Sequence, residues 1–433
     1  MTTRSATTAL ILISFVACSG PQIRSGESAA DYAARLASDH EAAYVVERLR
    51  ALGSNEGDDL PIGEDELIGT GYWLLMNGKI EEAFVIQQAS VELFPASARA
   101  WDNLGTAAIY MGDRQTAQTS LERSLELDST SSARWTLPRL DAEMREAAQE
   151  TRIVSQFEPG ASTGLQGPYL GQATPGLTPQ VFAPGIVSTR GGHEFSCTFS
   201  TDGKEFYFNR GFNIYVSYWR DAGWTAPAPA AFNSDALDHE PHISADNRFL
   251  YFGSGRPRAG LAGENSYGIW VMERTAEGWD APEFLFPGMY VTTARNGNAY
   301  VTDIFGASGG GICVYRHVDG QYGSCERLSG GANLYRSAHP LISADERFLV
   351  FDAYGPNTVG GEGDDDFYIS VRLENGSWSE PAHLKEISTP GSNMTASLSP
   401  DGRFLFYYAN HDIYWVSAAI LEPYIASSGN AEP

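Results

Sequence analysis

The sequence predicts a chain of two parts: N-terminal α-helical hairpins, then an all-β propeller, five-bladed, with an N-terminal strand closing the last blade. A 34-residue repeat runs through residues 64–131. A turn-and-strand motif recurs five times between residues 200 and 407. Aromatic residues make up 12% of the chain, with 45 Gly and 22 Pro, a composition that suits a large β region with many turns.

Residues 28–150 read as helical. Over 28–52, apolar residues recur at Tyr32, Leu36, Ala43, Val46 and Leu49, as on one helix face. From Glu64, the residues Leu67, Gly71, Leu74, Ala83 and Pro95 recur as Trp101, Gly105, Ala108, Ala117 and Ser129, in units 64–97 and 98–131. Small residues at Gly71, Gly105, Ala83 and Ala117 let two helices cross closely. The period and these positions resemble the tetratricopeptide repeat. Helices over 28–52 and 136–150 are expected to cap this short stack. Residues 151–177, rich in Gly, Pro, Thr and Gln, read as a linker lying over the surface.

From residue 178 a second repeat takes over. Ser200–Phe208 (STDGKEFYF), Ser244–Phe252 (SADNRFLYF), Ser343–Phe351 (SADERFLVF) and Ser399–Tyr407 (SPDGRFLFY) share a polar turn that feeds an apolar strand. A degenerate copy, Ala294–Thr302 (ARNGNAYVT), fills the middle, so that starts are 44, 50, 49 and 56 residues apart. A third strand follows in each unit, at Ile214–Val216, Ile269–Val271, Ile312–Val314, Phe367–Ile369 and Ile413–Trp415. A fourth begins at Trp224/Pro227, Trp279/Pro282 and Trp378/Pro381, with Tyr322 and Cys325 in those slots in the third unit. Four strands at this period are the signature of a propeller blade. The fifth unit lacks its outer strand. Because Val187-Ser188-Thr189 parallels Ile387-Ser388-Thr389, residues 178–189 are expected to supply it and hide both free sheet edges.

These motifs resemble the TolB-like, WD40-like β-propeller repeat of bacterial envelope proteins. The fullest match runs from Trp224 through Asn233, Glu240-Pro241 and the SADNRFLYF strand to Gly253-Ser254-Gly255-Arg256-Pro257. The resemblance implies the architecture and an envelope location; it does not imply a ligand, since propellers carry unrelated functions.

The N-terminus reads as a targeting segment. Arg4 precedes the apolar run Ala9–Ala17, too short to span a bilayer, and Phe15-Val16-Ala17-Cys18 resembles a bacterial lipobox, with Phe15 where such motifs usually carry Leu. The resemblance implies a signal peptide over 1–18, lipid on Cys18, and sorting to the outer membrane of a Gram-negative cell. Export permits disulfides, and Cys313 and Cys325 flank a hairpin turning at Asp319-Gly320, where they come nearly opposite each other. Cys197 is left over as a small buried residue. The net charge of −25 repels nucleic acid.

The chemistry-bearing residues concentrate at blade entrances. Four residues before each turn Ser or Ala stand Ser196, Glu240, Tyr290, His339 and Thr395, expected to face the central funnel. One carboxylate among five argues against a two-carboxylate glycosidase. His193, His239, His242 and His339 lie nearby, but His239 and His242, three apart on a strand, are expected on opposite faces and so unable to share a metal ion. Asp364-Asp365-Asp366 lacks the alternating spacing of a calcium loop. Phosphate-loop and dinucleotide motifs are absent. No catalytic residue, metal or cofactor is therefore assigned. His193, His239, Glu240, Arg336 and His339 are the candidate funnel ligand-binding set. The expected function is a non-catalytic envelope lipoprotein that binds proteins or glycans; the alternative is a glycan hydrolase or lyase acting in the funnel.

Overall fold

The computed structural model describes residues 28–53, 63–76, 79–131, 133–150, 157–189, 193–221, 223–234, 236–258, 267–276, 278–306, 311–355, 358–359, 365–389, 392–410 and 412–427. Cys18 and its apolar run lie outside these residues, as does Asp364. Helices come first and an all-β propeller of five blades follows.

The N-terminal helices are α1 (Ala29–Ala37), α2 (Ala42–Gly53), α3 (Glu64–Met76), α4 (Ile80–Leu93), α5 (Ala98–Met111), α6 (Arg114–Leu127), α7 (Ala133–Thr136) and α8 (Leu140–Glu150). The helix expected over 28–52 is thus two helices. Ser38 ends the first of them, its hydroxyl donating to the Arg35 carbonyl. Caps start the helices of the second hairpin: the Ser97 and Asp113 side chains accept from the N–H groups of Ala100 and Thr116. Gly105 faces α6 so closely that a Cβ there would lie 2.8 Å from Leu121, which explains the recurring small residue. Ala83, Ala108 and Ala117 are fully buried along the same crossings.

Each blade is an antiparallel sheet with its first strand innermost. Preceding the first blade is β1 (Gln180–Val181). Blade 1 holds β2 (Glu194–Phe199), β3 (Glu205–Arg210), β4 (Asn213–Arg220), β5 (Gly223–Trp224) and β6 (Ala228–Pro229). Blade 2 holds β7 (Asp238–Ile243), β8 (Phe249–Ser254), β9 (Gly268–Thr275), β10 (Gly278–Trp279) and β11 (Glu283–Phe286). Blade 3 holds β12 (Met289–Thr293), β13 (Ala299–Thr302), β14 (Ile312–Val318) and β15 (Gln321–Arg327). Blade 4 holds β16 (Arg336–Ile342), β17 (Phe348–Tyr354), β18 (Asp366–Val371) and β19 (Ala382–His383). Blade 5 holds β20 (Asn393–Leu398), β21 (Phe404–Ala409) and β22 (Asp412–Ser417). The repeated turn serine has a local job. Ser200, Ser244, Ser343 and Ser399 donate to Asp202, Asp246, Asp345 and Asp401, and accept from the N–H that opens the next strand.

β1 completes blade 5: Gln180 pairs with Trp415 and Val181 with Tyr414. The pairing is shorter than the expected 178–189. Ala183 has a left-handed backbone (φ 43) and Pro184 has no N–H, so the ladder stops and residues 183–188 form a turn. Packing does the rest of the sealing. The Phe182 ring lies 5.2 Å from Phe206 of blade 1 and 5.1 Å from Phe406 of blade 5. The segment read as a surface linker is also drawn in. Tyr169 and Leu170 are buried, Gly167 accepts from the Trp224 indole, and Ser162 bridges to Thr225. Apolar side chains thus override the Gly- and Pro-rich composition that marked this segment as a linker.

Candidate functional site at the propeller axis

All five innermost strands carry a register shift at the same point: after Phe195, His239, Met289, Ala338 and Met394. The residue displaced in each case has a left-handed backbone: Ser196 (φ 41), Glu240 (58), Tyr290 (49), His339 (44) and Thr395 (55). Such a conformation is strained for a residue with a Cβ and persists only where surrounding contacts enforce it. Here four of the freed N–H groups are met by neighbouring side chains. Glu240 N–H donates to Asn209 Oδ1 (2.6 Å), His339 N–H to Thr302 Oγ1 (2.9 Å), Thr395 N–H to Asp352 Oδ1 (3.4 Å) and Ser196 N–H to Thr395 Oγ1 (3.3 Å). Asn209, Thr302 and Asp352 hold the same register position on the second strands of blades 1, 3 and 4.

The side chains meet across the axis. His339 of blade 4 stands between two carboxylates, its Nδ1 2.9 Å from both Asp352 oxygens and its Nε2 3.5 Å from Glu240 Oε1 of blade 2. Glu240 Oε2 lies 3.4 Å from His239 Nδ1, and His239 Nε2 is 2.6 Å from the Tyr267 hydroxyl. The Tyr290 ring packs edge-on against His339 at 5.3 Å, and its hydroxyl donates to the Ala396 carbonyl of blade 5. His239, Glu240, Tyr290, His339 and Asp352 are each at most 8% exposed. These side chains form a buried ionic network.

Electrostatics follow from that placement. Burial alone would raise the Glu240 pKa, but His239 and His339 overcome it and hold the carboxyl below the usual range. Burial would lower the pKa of His339, but Asp352 and Glu240 hold it well above the ordinary histidine value. Burial, followed by the Glu240 charge, pushes the Tyr267 and Tyr290 phenols well up. Glu240 Oε2 makes no hydrogen bond.

The structure therefore brings together three of the five candidate funnel residues, His239, Glu240 and His339. It leaves two at the rim. Arg336 is exposed and lies over the Tyr354 ring at 5.4 Å. His193 is half-buried against Phe195 and Tyr408, at 5.7 and 5.4 Å. Asp352 was missed, although it directly follows the SADERFLVF strand and its register is shared with Asn209. One expectation about faces is overturned. His239 pairs with Gly253 and His242 with Tyr251, two apart on β8, so both histidines lie on one face. The extra residue at the bulge restores the parity that a spacing of three removes. They still part company, for His242 Nε2 contacts Thr293 Oγ1 of blade 3 at 2.9 Å. Among the described residues, no group of three or more His, Cys, Asp or Glu side chains is arranged to hold a metal. Cys313 and Cys325 form a disulfide across β14 and β15, with Cα atoms 5.7 Å apart, and Cys197 is a buried free thiol.

No protein-family model and no curated protein matches the chain. Solved structures of similar fold include a TolB protein from Agrobacterium tumefaciens (17% identity, 49% of this chain and 69% of that one, TM-score 0.36). They also include a gluconolactonase from Xanthomonas campestris (13% identity, 51% and 84%, TM-score 0.34). A third is the periplasmic gluconolactonase of Pseudomonas aeruginosa (18% identity, 49% and 62%, TM-score 0.30). At these values they bear on no statement about activity.

Proposed function

We propose that this is a bacterial envelope lipoprotein, anchored through Cys18 and not catalytic, that binds a protein or glycan through its propeller, with tetratricopeptide-type hairpins beside it. The observation that carries the reading is the pairing of Glu240 and Asp352 through one imidazole. Each carboxylate already faces His339 inside a buried network, so neither is an accessible acid or base for a substrate. The network instead pins blades 2 and 4 to each other. Arg336 beside Tyr354 offers an exposed cation and aromatic ring, a pairing enriched at binding hot spots. Among the described residues no helix is long and apolar enough to cross a membrane.

One observation favours the alternative of a glycan hydrolase or lyase: Glu240 Oε2 is a buried carboxylate oxygen without a hydrogen-bond partner. The two readings separate in one experiment. The exported full-length protein is incubated with envelope extract and with isolated envelope glycan. Binding predicts a captured component that is lost in Arg336→Glu and retained in Glu240→Gln, with no glycan turnover. Turnover abolished by Glu240→Gln would overturn the non-catalytic reading.

A further inference from the structure

Each blade junction has a slot near its outer edge, and the chain packs its own bulky side chains into four of them, leaving cavities of about 510 Å³ beside Leu421 between blades 4 and 5 and about 240 Å³ beside Tyr169 between blades 5 and 1. Between blades 1 and 2, the Trp279 indole donates to the Tyr207 hydroxyl at 2.9 Å, under Arg274, which pairs with Glu205. Between blades 3 and 4, Trp378 packs edge-on against Tyr300, with Arg372 over it. Between blades 5 and 1, Trp224 is buried and Tyr169 inserts between Phe199 and Phe404. Between blades 4 and 5, Leu421 from the C-terminal turn is buried against the blade cores.

The junction of blades 2 and 3 differs residue by residue. Phe249 stands where blade 1 has Glu205. His317 and Tyr322, which face each other across the ladder, stand where blade 2 has Arg274 and Trp279. Tyr322 still reaches the blade 2 tyrosine, its hydroxyl 3.1 Å from that of Tyr251, but the smaller pair leaves a cavity of about 310 Å³. Its walls are Phe249, Val271, Leu285 and Tyr322, all only partly buried. Arg248 and Arg295 stand at its edge with Asp246 in a chain of net charge −25. The Cys313–Cys325 bridge joins the two strands that carry His317 and Tyr322.

We propose that this junction binds an aromatic side chain presented by an acidic segment of a partner polypeptide. The aromatic class is set by the chain's own precedent, since the same slot is filled by an indole at both flanking junctions. The acidic character is set by Arg295 at the rim, since Arg248 is already paired with Glu273 at 2.8 Å. The volume lies at the small end for ligand sites, enough for one ring and not for an extended ligand. This site lies away from the axial network, so its failure leaves the reading of the axis intact, and Glu240→Gln leaves it unchanged.

The test uses the exported, disulfide-bonded full chain and N-acetyl-tryptophan, which carries an indole and a carboxylate. Titration calorimetry and saturation-transfer NMR are expected to show saturable binding with Kd on the order of millimolar, as befits a single ring. N-acetyl-leucine binds at least about tenfold more weakly, a difference of about 1.4 kcal/mol. Tyr322→Trp supplies the indole in cis. It raises the melting temperature and weakens the probe at least about tenfold. Arg295→Glu weakens N-acetyl-tryptophan but spares its uncharged amide. Leu285→Trp fills the cavity from the opposite wall and is read in the same way if Tyr322→Trp does not fold. Absence of saturable binding by the wild type, or undiminished binding in a folded filled variant, overturns the proposal.

Discussion

His339 is buried and flanked by two acids, which favour its charged form. Asp352→Asn keeps the shape of its partner and removes the charge. Breaking one side of a buried ion pair typically costs about 3–5 kcal/mol, and a loss of that size is expected in denaturant unfolding. The imidazole of His339 should also titrate at a lower pH in that variant, which NMR can follow. The raised pKa of His339 means that its contribution is complete below about pH 6.5, the value of an unfolded histidine, and is lost as pH rises through the folded value. Glu240, held low, contributes above the ordinary carboxylate range and loses its contribution as pH falls through its folded value. His242 is pushed down to about 4 by burial, so the unfolded chain binds its proton first and stability declines as pH falls from about 6.5 toward that value. Melting temperature against pH should therefore decline on both sides of neutrality. His242→Gln should flatten the acidic limb between about pH 6.5 and 4; an unchanged limb would assign it to other groups.

At the scale of single elements, blade 3 is the irregular one. Its turn lacks the Ser-x-Asp pair of the other blades, and its outer strand lacks the tryptophan, yet β14 and β15 are tied by a disulfide with sequence separation 12. Closing a loop of that length restrains the unfolded chain by about 3 kcal/mol. Replacing both Cys313 and Cys325 by Ser is expected to lower stability by about that amount or less, read from the denaturation midpoint. The bulges on the five inner strands are the other element-level device. Each spends a ladder N–H to turn one side chain toward the axis, and a side chain from the preceding blade satisfies it in three cases.

At the scale of the whole molecule, the ring is closed by very little regular structure. Two residues of β1 pair with β22, while Phe182 and Tyr169 pack between blades 1 and 5. The aromatic rings, more than the strand, hold the seam. Phe182→Ala is expected to cost about 3–5 kcal/mol, as for other fully buried phenylalanines. Because the seam joins the ends of the propeller, the loss should lower one cooperative transition for all blades and not detach a single blade. Two transitions in calorimetry of the variant, with the blades separating, would count against this closure.

Much of this was legible before folding, for physical reasons that act locally. Turn chemistry at Asp202-Gly203 or Asp401-Gly402 and the alternation of apolar residues after it mark each hairpin, so the blade count and the five positions from Ser196 to Thr395 follow from counting along the chain. The Cys313–Cys325 bridge follows in the same way, because a hairpin brings near neighbours together. What the tertiary structure decided rests on contacts between residues far apart in sequence. Counting places Glu240 and His339 at one funnel, but nothing near them announces that Asp352 will hold the far side of the His339 ring. The bulges are equally silent in the sequence, and they reverse the faces assigned to His239 and His242. Tyr169 looks like a linker residue, and Phe182 like part of an outer strand, until ring closure offers them a slot between blades 5 and 1. The cavity beside Tyr322 exists only because a smaller pair occupies a space that neighbouring blades define. Local pattern determined the blades; closure of the ring determined which of their side chains could meet, because only closure brings the first and last blades, and the opposed inner strands, within reach of one another.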